Sequence, residues 1–311
     1  MMRHGGESRV LVLPGALHGL SEAYLCQTDK FINLSLLDMP DSKIPFSPLS
    51  KTRRQLIARL ASTKLRRKEG MFIVEGYKNV ADLMSRRESP FEPVWLVATW
   101  DYLTSHAVDD NILRMFAPDR ISGVTAQEMK SLSMLSAPSD LLAVFTIPEK
   151  VHDPLATPLG EGLFLLLDGV QDPGNLGTIV RTAHWFGVRH IFASHDTVDL
   201  FNPKVVQSTM GSLGAVEVDY VNLPSLVAAN PSLPLVGLQL EGDDLFRADL
   251  PSSAMICMGS EGNGLSEEMR RALTRSLTIP PGNPADHPES LNVAIATAVT
   301  LSRFVSCRYN R

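Results

Sequence analysis

The stretch LFLLLDGVQDPGNLGTIVRTAHWFG, residues 163–187, contains a strand pattern, a turn and the start of a helix in succession. The apolar run Leu163–Leu167 is typical of a buried strand, and it ends at Asp168. Glycine, proline, aspartate and asparagine then interrupt the pattern before helical spacing begins. The turn matches neither GxGxxG nor GxxxxGK(S/T), the two common phosphate-binding signatures. It does place Asn175 at a plausible helix N-cap, and a single arginine, Arg181, follows six residues later.

Further strand patterns follow toward the C terminus, with helical segments between them. Strands that are separated by helical crossovers pair in parallel. The sequence therefore predicts an α/β domain with a parallel sheet over residues 163–311. Its predicted strands are 163–168, 189–194, 215–221, 234–240 and 254–259.

A smaller alternation of strands and helices precedes this domain and predicts a small α/β domain over residues 50–148. Residues 149–162 have the proline and glycine content of a linker. Residues 1–49 show no sustained periodicity. They are predicted to be a flexible extension or a misassigned start, because Met39 directly precedes the ordered pattern. The patterns of the small domain are strands at 71–76, 94–100 and 140–145 and a helix at 77–87.

The composition, 44% hydrophobic and 20% charged residues in a chain of 311, is that of an ordinary globular protein. A net charge of −5 argues against a wholly basic nucleic-acid binder but leaves room for a local basic patch. Cys26, Cys257 and Cys307 are odd in number and widely spaced, which excludes a disulfide framework or a zinc knuckle. We therefore expect a cytoplasmic protein without a bound metal. No apolar run reaches 18 residues, so no membrane span is expected.

Two more glycine- or proline-rich loops carry polar residues. In MGSEGNGLSEEM, residues 258–269, Glu261 stands between glycines, where a turn gains little from a carboxylate, so a functional role competes with a structural one. In IPPGNPADHPESLN, residues 279–292, Ser290 and Asn292 precede a helix. Taken singly, both are best explained as helix-capping residues.

Taken together, NLGTIVR, MGSEGNGLS and IPP…ESLN resemble, in order and separation, the three motifs of the SpoU/TrmH family of RNA methyltransferases in the SPOUT superfamily. The resemblance implies a parallel-sheet domain with a deep trefoil knot whose loops hold S-adenosylmethionine (AdoMet). It also implies methyl transfer to a ribose 2′-hydroxyl of rRNA or tRNA. The catalytic residues that it implies are Arg181, Asn175, Glu261, Ser290 and Asn292. The cofactor contacts that it implies are Leu238, Gln239, Gly259, Ile279 and Leu291.

Upstream, LASTKLRRKEGMFIVEG, residues 60–76, resembles the small, ribosomal-protein-like domain that binds RNA in many members of the family. Eight lysines and arginines lie between residues 51 and 70, against the single acid Glu69. Such a local cluster can hold phosphates in a protein whose net charge is negative. The expected RNA contacts are Arg53, Arg54, Arg66, Arg67 and Lys68.

The helix predicted at 290–306 is apolar nearly all round and must be buried in the core or in a subunit interface. We expect a homodimer built on it and on the first helix of the domain. Two alternatives remain for the function: a methyltransferase acting on a base, such as guanine N1, and an RNA-binding or assembly factor with a decayed site. The intact spacing of Asn175 and Arg181 and the intact motif set argue against both.

Overall fold

A computed structural model of the protein describes residues 46–86, 89–106, 111–149 and 153–309. Most of the predicted extension and part of the predicted linker lie outside the described residues. The described chain forms two β-sheets, each with its own helices. Within the described residues, no helix is long and apolar enough to cross a membrane. In the same residues, no group of three or more histidine, cysteine or acidic side chains is arranged to hold a metal ion.

The first sheet has five strands in the order β1-β4-β3-β5-β2. Strand β5 pairs antiparallel with β2 and β3, whereas β4 pairs parallel with β1 and β3. The strands are β1 (Ser47–Pro48), β2 (Met71–Glu75), β3 (Pro93–Thr99), β4 (Ile121–Val124) and β5 (Leu141–Thr146). The helices are α1 (Lys51–Arg59), α2 (Thr63–Glu69), α3 (Tyr77–Ser85), α4 (Trp100–His106), α5 (Asn111–Arg114) and α6 (Ala126–Leu132).

The first sheet begins before residue 50, where the extension was expected to end. Ser47 is the parallel partner of Ser122, so β1 is an edge strand of this sheet. A two-residue strand that contains a proline has no periodicity that a sequence pattern could reveal. The boundary placed at residue 49 was therefore too late.

The second sheet has six strands in the order β11-β9-β10-β6-β7-β8, and every pairing is parallel, which confirms the predicted parallel sheet. The strands are β6 (Leu163–Asp168), β7 (His190–Ala193), β8 (Glu217–Tyr220), β9 (Leu235–Asp244), β10 (Ala254–Gly259) and β11 (Arg275–Thr278). The helices are α7 (Pro173–Trp185), α8 (Pro203–Ser208), α9 (Leu223–Ala229), α10 (Glu267–Ala272) and α11 (Val293–Tyr309).

Helix α11 is buried along one side only. Val293, Leu301 and Phe304 are at most 6% exposed, whereas Ile295 is 52% exposed. The buried side packs against the core that also contacts α7. The sequence predicted burial in the core or in a subunit interface, and the described residues leave the part of α11 around Ile295 uncovered.

The two domains pack closely through aromatic and charged side chains. Phe201, which precedes α8, lies 4.8 Å from Phe72 and 5.8 Å from Phe91 between ring centroids. Arg66 of α2 reaches Asp199 in the loop after β7, at 3.0 Å from Nε and 2.5 Å from Nη2. These contacts fix the small domain against the loop and helix that follow β7.

Candidate active site

The carboxyl ends of the central strands β6 and β10 lie side by side, with Asp168 and Gly259 as Cα partners. Ligands of open parallel sheets bind at this edge, where the loops after the strands converge. Here the loop after β6 leads into α7, and the loop after β10 leads toward α10. The Asp168 carboxylate accepts a 2.6 Å hydrogen bond from the Ser266 backbone and joins the two loops.

Asp172 caps helix α7. The sequence had suggested Asn175 as the cap. The Asp172 Oδ1 atom accepts a 2.8 Å hydrogen bond from the Asn175 backbone nitrogen. Pro173 occupies the first helical position, where its missing N–H costs nothing. Because Asp172 satisfies the helix end, the side chain of Asn175 is available for tertiary contacts.

Asn175 joins the other two loops. Its Nδ2 donates to Glu261 Oε1, and its Oδ1 accepts a 2.9 Å hydrogen bond from Asn292 Nδ2. Asn292 Oδ1 in turn accepts from the backbone nitrogens of Ala294 at 2.9 Å and Ile295 at 3.3 Å, at the start of α11. Asn292 is therefore a capping residue and a member of the site at once.

Glycines hold Glu261 at the tip of a tight turn. Ser260 and Gly264 exchange two backbone hydrogen bonds of 2.9 Å. A Cβ atom on Gly259 would lie 2.2 Å from the carbonyl carbon of Gly264, so no larger residue fits there. Gly264 has φ +65, a left-handed conformation that favours glycine. The predicted cofactor contact Gly259 is thus required by the shape of the turn itself.

Arg181 and Ser290, the other two predicted catalytic residues, are exposed. Arg181 lies on α7 between two residues that face α8 and the segment after it. A Cβ on Gly177 would lie 2.4 Å from Ser208 Cβ, and His184 Nδ1 is 3.1 Å from Ser212 Oγ. Arg181 therefore lies on the side of α7 that meets α8, outside the hydrogen bonds that join Asn175, Glu261 and Asn292.

The pKa of His184 is lowered, first because its burial disfavours the imidazolium and then because Arg86 and Arg189 add positive charge nearby. The neutral imidazole is therefore the favoured form beside Ser212. This keeps a further positive charge away from the segment of α7 that carries Arg181.

Strand β9 holds two predicted cofactor residues where its pairing is interrupted. Ser276 of β11 pairs with Gly237, and the next residue, Leu277, pairs with Asp243. The intervening segment, residues 238–242, therefore leaves the ladder. It contains Leu238 and Gln239, and β9 continues beyond them to Asp244.

This segment lies against β11 and so approaches Ile279. Gln239 Nε2 donates to Ser276 Oγ at 2.7 Å, and Thr278 Oγ1 donates to the Leu240 carbonyl at 2.9 Å. Ile279 directly follows Thr278. Leu240, 73% exposed, is an apolar residue at this position that the sequence interpretation missed. Leu291, next to Asn292, is 50% exposed.

Three of the five predicted RNA contacts are engaged within the protein. Arg66 is 1% exposed, and its guanidinium donates to Asp199, to the Leu60 and Ala61 carbonyls and to Thr63. This corrects the expectation that Arg66 contacts RNA: periodicity could not show that its partner lies 133 residues away.

Arg54 and Arg53 also have partners in the first domain. Arg54 forms a 2.5 Å ion pair with Glu128. The pKa of the Glu128 carboxyl is lowered, first by the hydrogen bond from the Thr125 backbone and then by this contact with Arg54. The Arg53 guanidinium lies 5.2 Å from the centre of the Trp95 ring. Arg67 and Lys68 are exposed and line a cleft between the domains.

One cation beside the site was absent from the sequence interpretation. Lys204 of α8 is 65% exposed, and its Nζ lies 3.8 Å from Asp172 Oδ2, at the first turn of α7. A lone lysine in a short segment offers no sequence signal, and only the packing of α8 on α7 brings it to the site.

Comparison with known proteins identifies the relatives of this chain. The sequence model of the SpoU rRNA Methylase family matches residues 162–302. An uncharacterized tRNA/rRNA methyltransferase of Synechocystis is 31% identical, with 82% of this chain and 89% of the relative aligned. A 23S rRNA (guanosine-2′-O)-methyltransferase of Bacillus subtilis is 34% identical, over 60% of this chain and 69% of the relative.

Solved structures agree over both domains. A TrmH-family RNA methyltransferase from Porphyromonas gingivalis has a TM-score of 0.69 and 36% identity, covering 83% of this chain and 98% of its own. An AdoMet-bound rRNA methyltransferase from Sinorhizobium meliloti also has a TM-score of 0.69, with 26% identity over 84% and 97% of the two chains. The matched region contains the whole Asn175, Glu261 and Asn292 network. The chain therefore belongs to the SpoU rRNA methylase family.

Proposed function

We propose that this protein transfers a methyl group from AdoMet to a ribose 2′-hydroxyl of rRNA or tRNA. The observation that carries the proposal is the asparagine network. Asn175 bonds Glu261 and Asn292, so one side chain aligns the three loops that hold the family motifs. The relative from Bacillus subtilis is named for 2′-O-methylation of guanosine in 23S rRNA, which supports the ribose as acceptor.

The residues at the sheet edge fit AdoMet. A tight glycine turn brings backbone close at Gly259, and segment 238–242 adds side chains from the neighbouring strand. Leu238, Gln239, Gly259, Ile279 and Leu291 would hold the cofactor, because apolar groups suit the adenosine and the backbone amides suit its polar edge. When bound, the cofactor supplies an electrophilic methyl group on a sulfonium. The AdoMet-bound structure from Sinorhizobium meliloti supports this assignment.

Arg181 would bind a phosphate of the substrate and so orient the adjacent ribose. Its guanidinium is essentially always protonated, which makes it a poor proton acceptor in its ordinary state. The proton of the 2′-hydroxyl would pass either to the bound phosphate or to an arginine perturbed by that phosphate. Positioning of the hydroxyl in line with the methyl group accounts for much of the rate in either case.

The assembly proposed for this activity is a cytoplasmic homodimer with a knotted catalytic domain. Exposed apolar residues on two helices support a partner subunit: Trp185 of α7 is 84% exposed, and Ile295 of α11 is 52% exposed. Residues 46–148 would form the RNA-binding domain, and residues 149–162 the linker. The long loop between β11 and α11, which carries Ser290, would be part of the trefoil knot.

Mass spectrometry of digested RNA tests the proposal. Total RNA from a strain that lacks the gene is incubated with the protein and AdoMet carrying a labelled methyl group. We expect label in a 2′-O-methylnucleoside and at least tenfold slower labelling with Asn175→Ala. Label in a base, such as N1-methylguanine, would show the alternative acceptor. No label with any RNA fraction, despite AdoMet binding, would favour the assembly-factor alternative.

A further inference from the structure

A strip of exposed side chains, formed by Tyr77, Lys78, Lys204 and Met210, lies around α8 between the small domain and Arg181. Two side chains of the small domain, one from α3 and one from the residue after it, reach α8 and the segment that follows it. Asn79 Nδ2 donates to Gln207 Oε1 at 2.8 Å, and Arg86 Nη2 donates to the Gly211 carbonyl at 2.7 Å. Because both contacts advance in the same direction along the chain, α3 and the segment that begins with α8 run parallel.

This register places Lys78, the neighbour of Asn79, at the level of Gln207, near the C-terminal end of α8. Lys78 precedes Asp82 by one helical turn, and Asp82 packs against Gly211. One turn before Gly211 is the level of Gln207, and Lys204 lies a further turn toward the start of α8. Lys78 and Lys204 are both exposed. Lys78 of the small domain is therefore near the C-terminal end of α8, and Lys204 is in its first turn.

The strip continues to the candidate site on one side and to an aromatic ring on the other. Lys204 lies 3.8 Å from Asp172, the cap of the helix that carries Asn175 and Arg181. Tyr77, next to Lys78, is 48% exposed. An exposed aromatic ring beside cations is the combination with which proteins bind single-stranded nucleic acid, by stacking on bases and neutralising phosphates.

The loop after α8 adds an unusual residue at the centre of the strip. Met210 has φ +47, the only positive φ outside glycine among the described residues, and it is 39% exposed. A long side chain in this conformation is uncommon and is retained where the surroundings impose it. Ser208 and Ser212, on either side of Met210, contact the α7 residues that bracket Arg181.

We propose that this strip is the surface over which a single-stranded segment of the substrate RNA reaches Arg181. Lys78 and Lys204 each contact a phosphate of the strand, and Tyr77 stacks on an unpaired base. The inference rests on the proposed function and deepens it: the target nucleotide lies in a single-stranded region, and both domains hold it. The basic run of α1 and α2 contributes less, since Arg53, Arg54 and Arg66 have partners inside the protein.

Binding of a fluorescent single-stranded oligoribonucleotide over a salt series tests the strip. We expect Lys78→Gln/Lys204→Gln to weaken binding at least tenfold at low salt and to reduce the salt slope by about 1.4, the value for two lost single-strand phosphate contacts. Tyr77→Ala should weaken binding of the single strand, whereas Tyr77→Phe should retain it, and a duplex of equal length should not distinguish them. The matched control Arg120→Gln/Lys130→Gln removes two exposed charges from the small domain, away from the strip, and should leave the salt slope unchanged.

The rival surface is tested with Arg67→Gln/Lys68→Gln. If the salt slope of RNA binding fell in that variant but not in Lys78→Gln/Lys204→Gln, the inference would be overturned, and α2 would be the RNA-binding surface. AdoMet titration confirms that each variant is folded. If the wild-type protein methylates RNA but the strip variants match it, only the strip is wrong. If the wild-type protein neither binds AdoMet nor methylates RNA, the proposed function fails first.

Discussion

The side chains of Asn175 and Asn292 are joined by a 2.9 Å hydrogen bond across 117 residues of chain. Asn175 lies in the first turn of α7, and Asn292 caps α11, so this contact ties the first helix of the catalytic domain to the last. Glu261 completes the network from the loop after β10. The relative positions of three loops therefore depend on one amide group.

Replacement of Asn175 should disturb both of the loops that it joins. Asn175→Ala leaves the Glu261 carboxylate and the Asn292 amide without this partner. Hydrogen bonds to charged groups contribute about 1.5–3 kcal/mol, so we expect activity to fall by at least tenfold and AdoMet affinity to fall with it. Calorimetry and methyl incorporation measure the two effects. Thr178→Ala, on an exposed position of the same helix, is the control. Wild-type AdoMet affinity in Asn175→Ala would show that the network does not align the loops.

Arg181 should act on the substrate and not on the cofactor. Arg181→Ala is expected to abolish methyl transfer and to leave AdoMet affinity nearly unchanged, because Arg181 is exposed on α7 and away from the glycine turn. Single-turnover assays and calorimetry separate these outcomes, with Arg120→Ala as a matched exposed arginine. Normal turnover in Arg181→Ala would refute the catalytic assignment.

Arg66 should stabilise the contact between the domains. Arg66→Gln leaves Asp199 partly buried without its cation, and breaking a buried pair in this way costs about 3–5 kcal/mol. Urea denaturation should show that the free energy of unfolding falls by an amount near the lower end of this range, because the Asp199 side chain is 15% exposed. Arg67→Gln, one residue away and exposed, should have little effect. If Arg66→Gln instead preserved stability and lowered only the salt slope of RNA binding, the original RNA-contact expectation would be restored.

The exposed apolar residues of α7 and α11 predict a dimer. Sedimentation equilibrium should give twice the monomer mass at micromolar concentration. Trp185→Glu and Ile295→Glu should shift the mass toward the monomer, because each would place a charge in an apolar interface. The control is Phe246→Glu, which alters another exposed aromatic residue, at 51% exposure. A monomeric wild-type protein would contradict the prediction.

His184 should make stability depend on pH. Its pKa is lowered in the folded protein, by burial and then by Arg86 and Arg189, so the unfolded chain binds the proton more readily. The stability linked to this group is present above the unfolded value of about 6.5 and is lost as pH falls below it through the folded value. Between about pH 7.5 and about pH 5.5, the free energy of unfolding should fall less for His184→Gln than for the wild type. Equal losses would exclude a role for this imidazole.

The sequence by itself determined the class of fold, the positions of most strands along the chain and, through the family resemblance, the three loops of the site. Local patterns carried this information for the fold: an apolar run like that of β6, bounded by turn residues, is typical of a buried strand, and strands that helical crossovers connect pair in parallel. The glycines around Glu261 predicted a tight turn for the same local reason. The identity of Asp172 as the helix cap was missed, although it too is local, because Asn175 is an equally good capping residue.

Tertiary structure alone decided which side chains meet. The order of the strands brings Asn175, Glu261 and Asn292 together, and no periodicity encodes a contact across 86 or 117 residues. The same holds for Arg66, whose charge placed it among RNA-binding candidates until its partner Asp199 was known. A sequence pattern specifies the face on which a residue lies, whereas burial and pairing depend on which element covers that face. Packing of α8 against α7 and against β2 of the small domain therefore decided which cations lie beside the site.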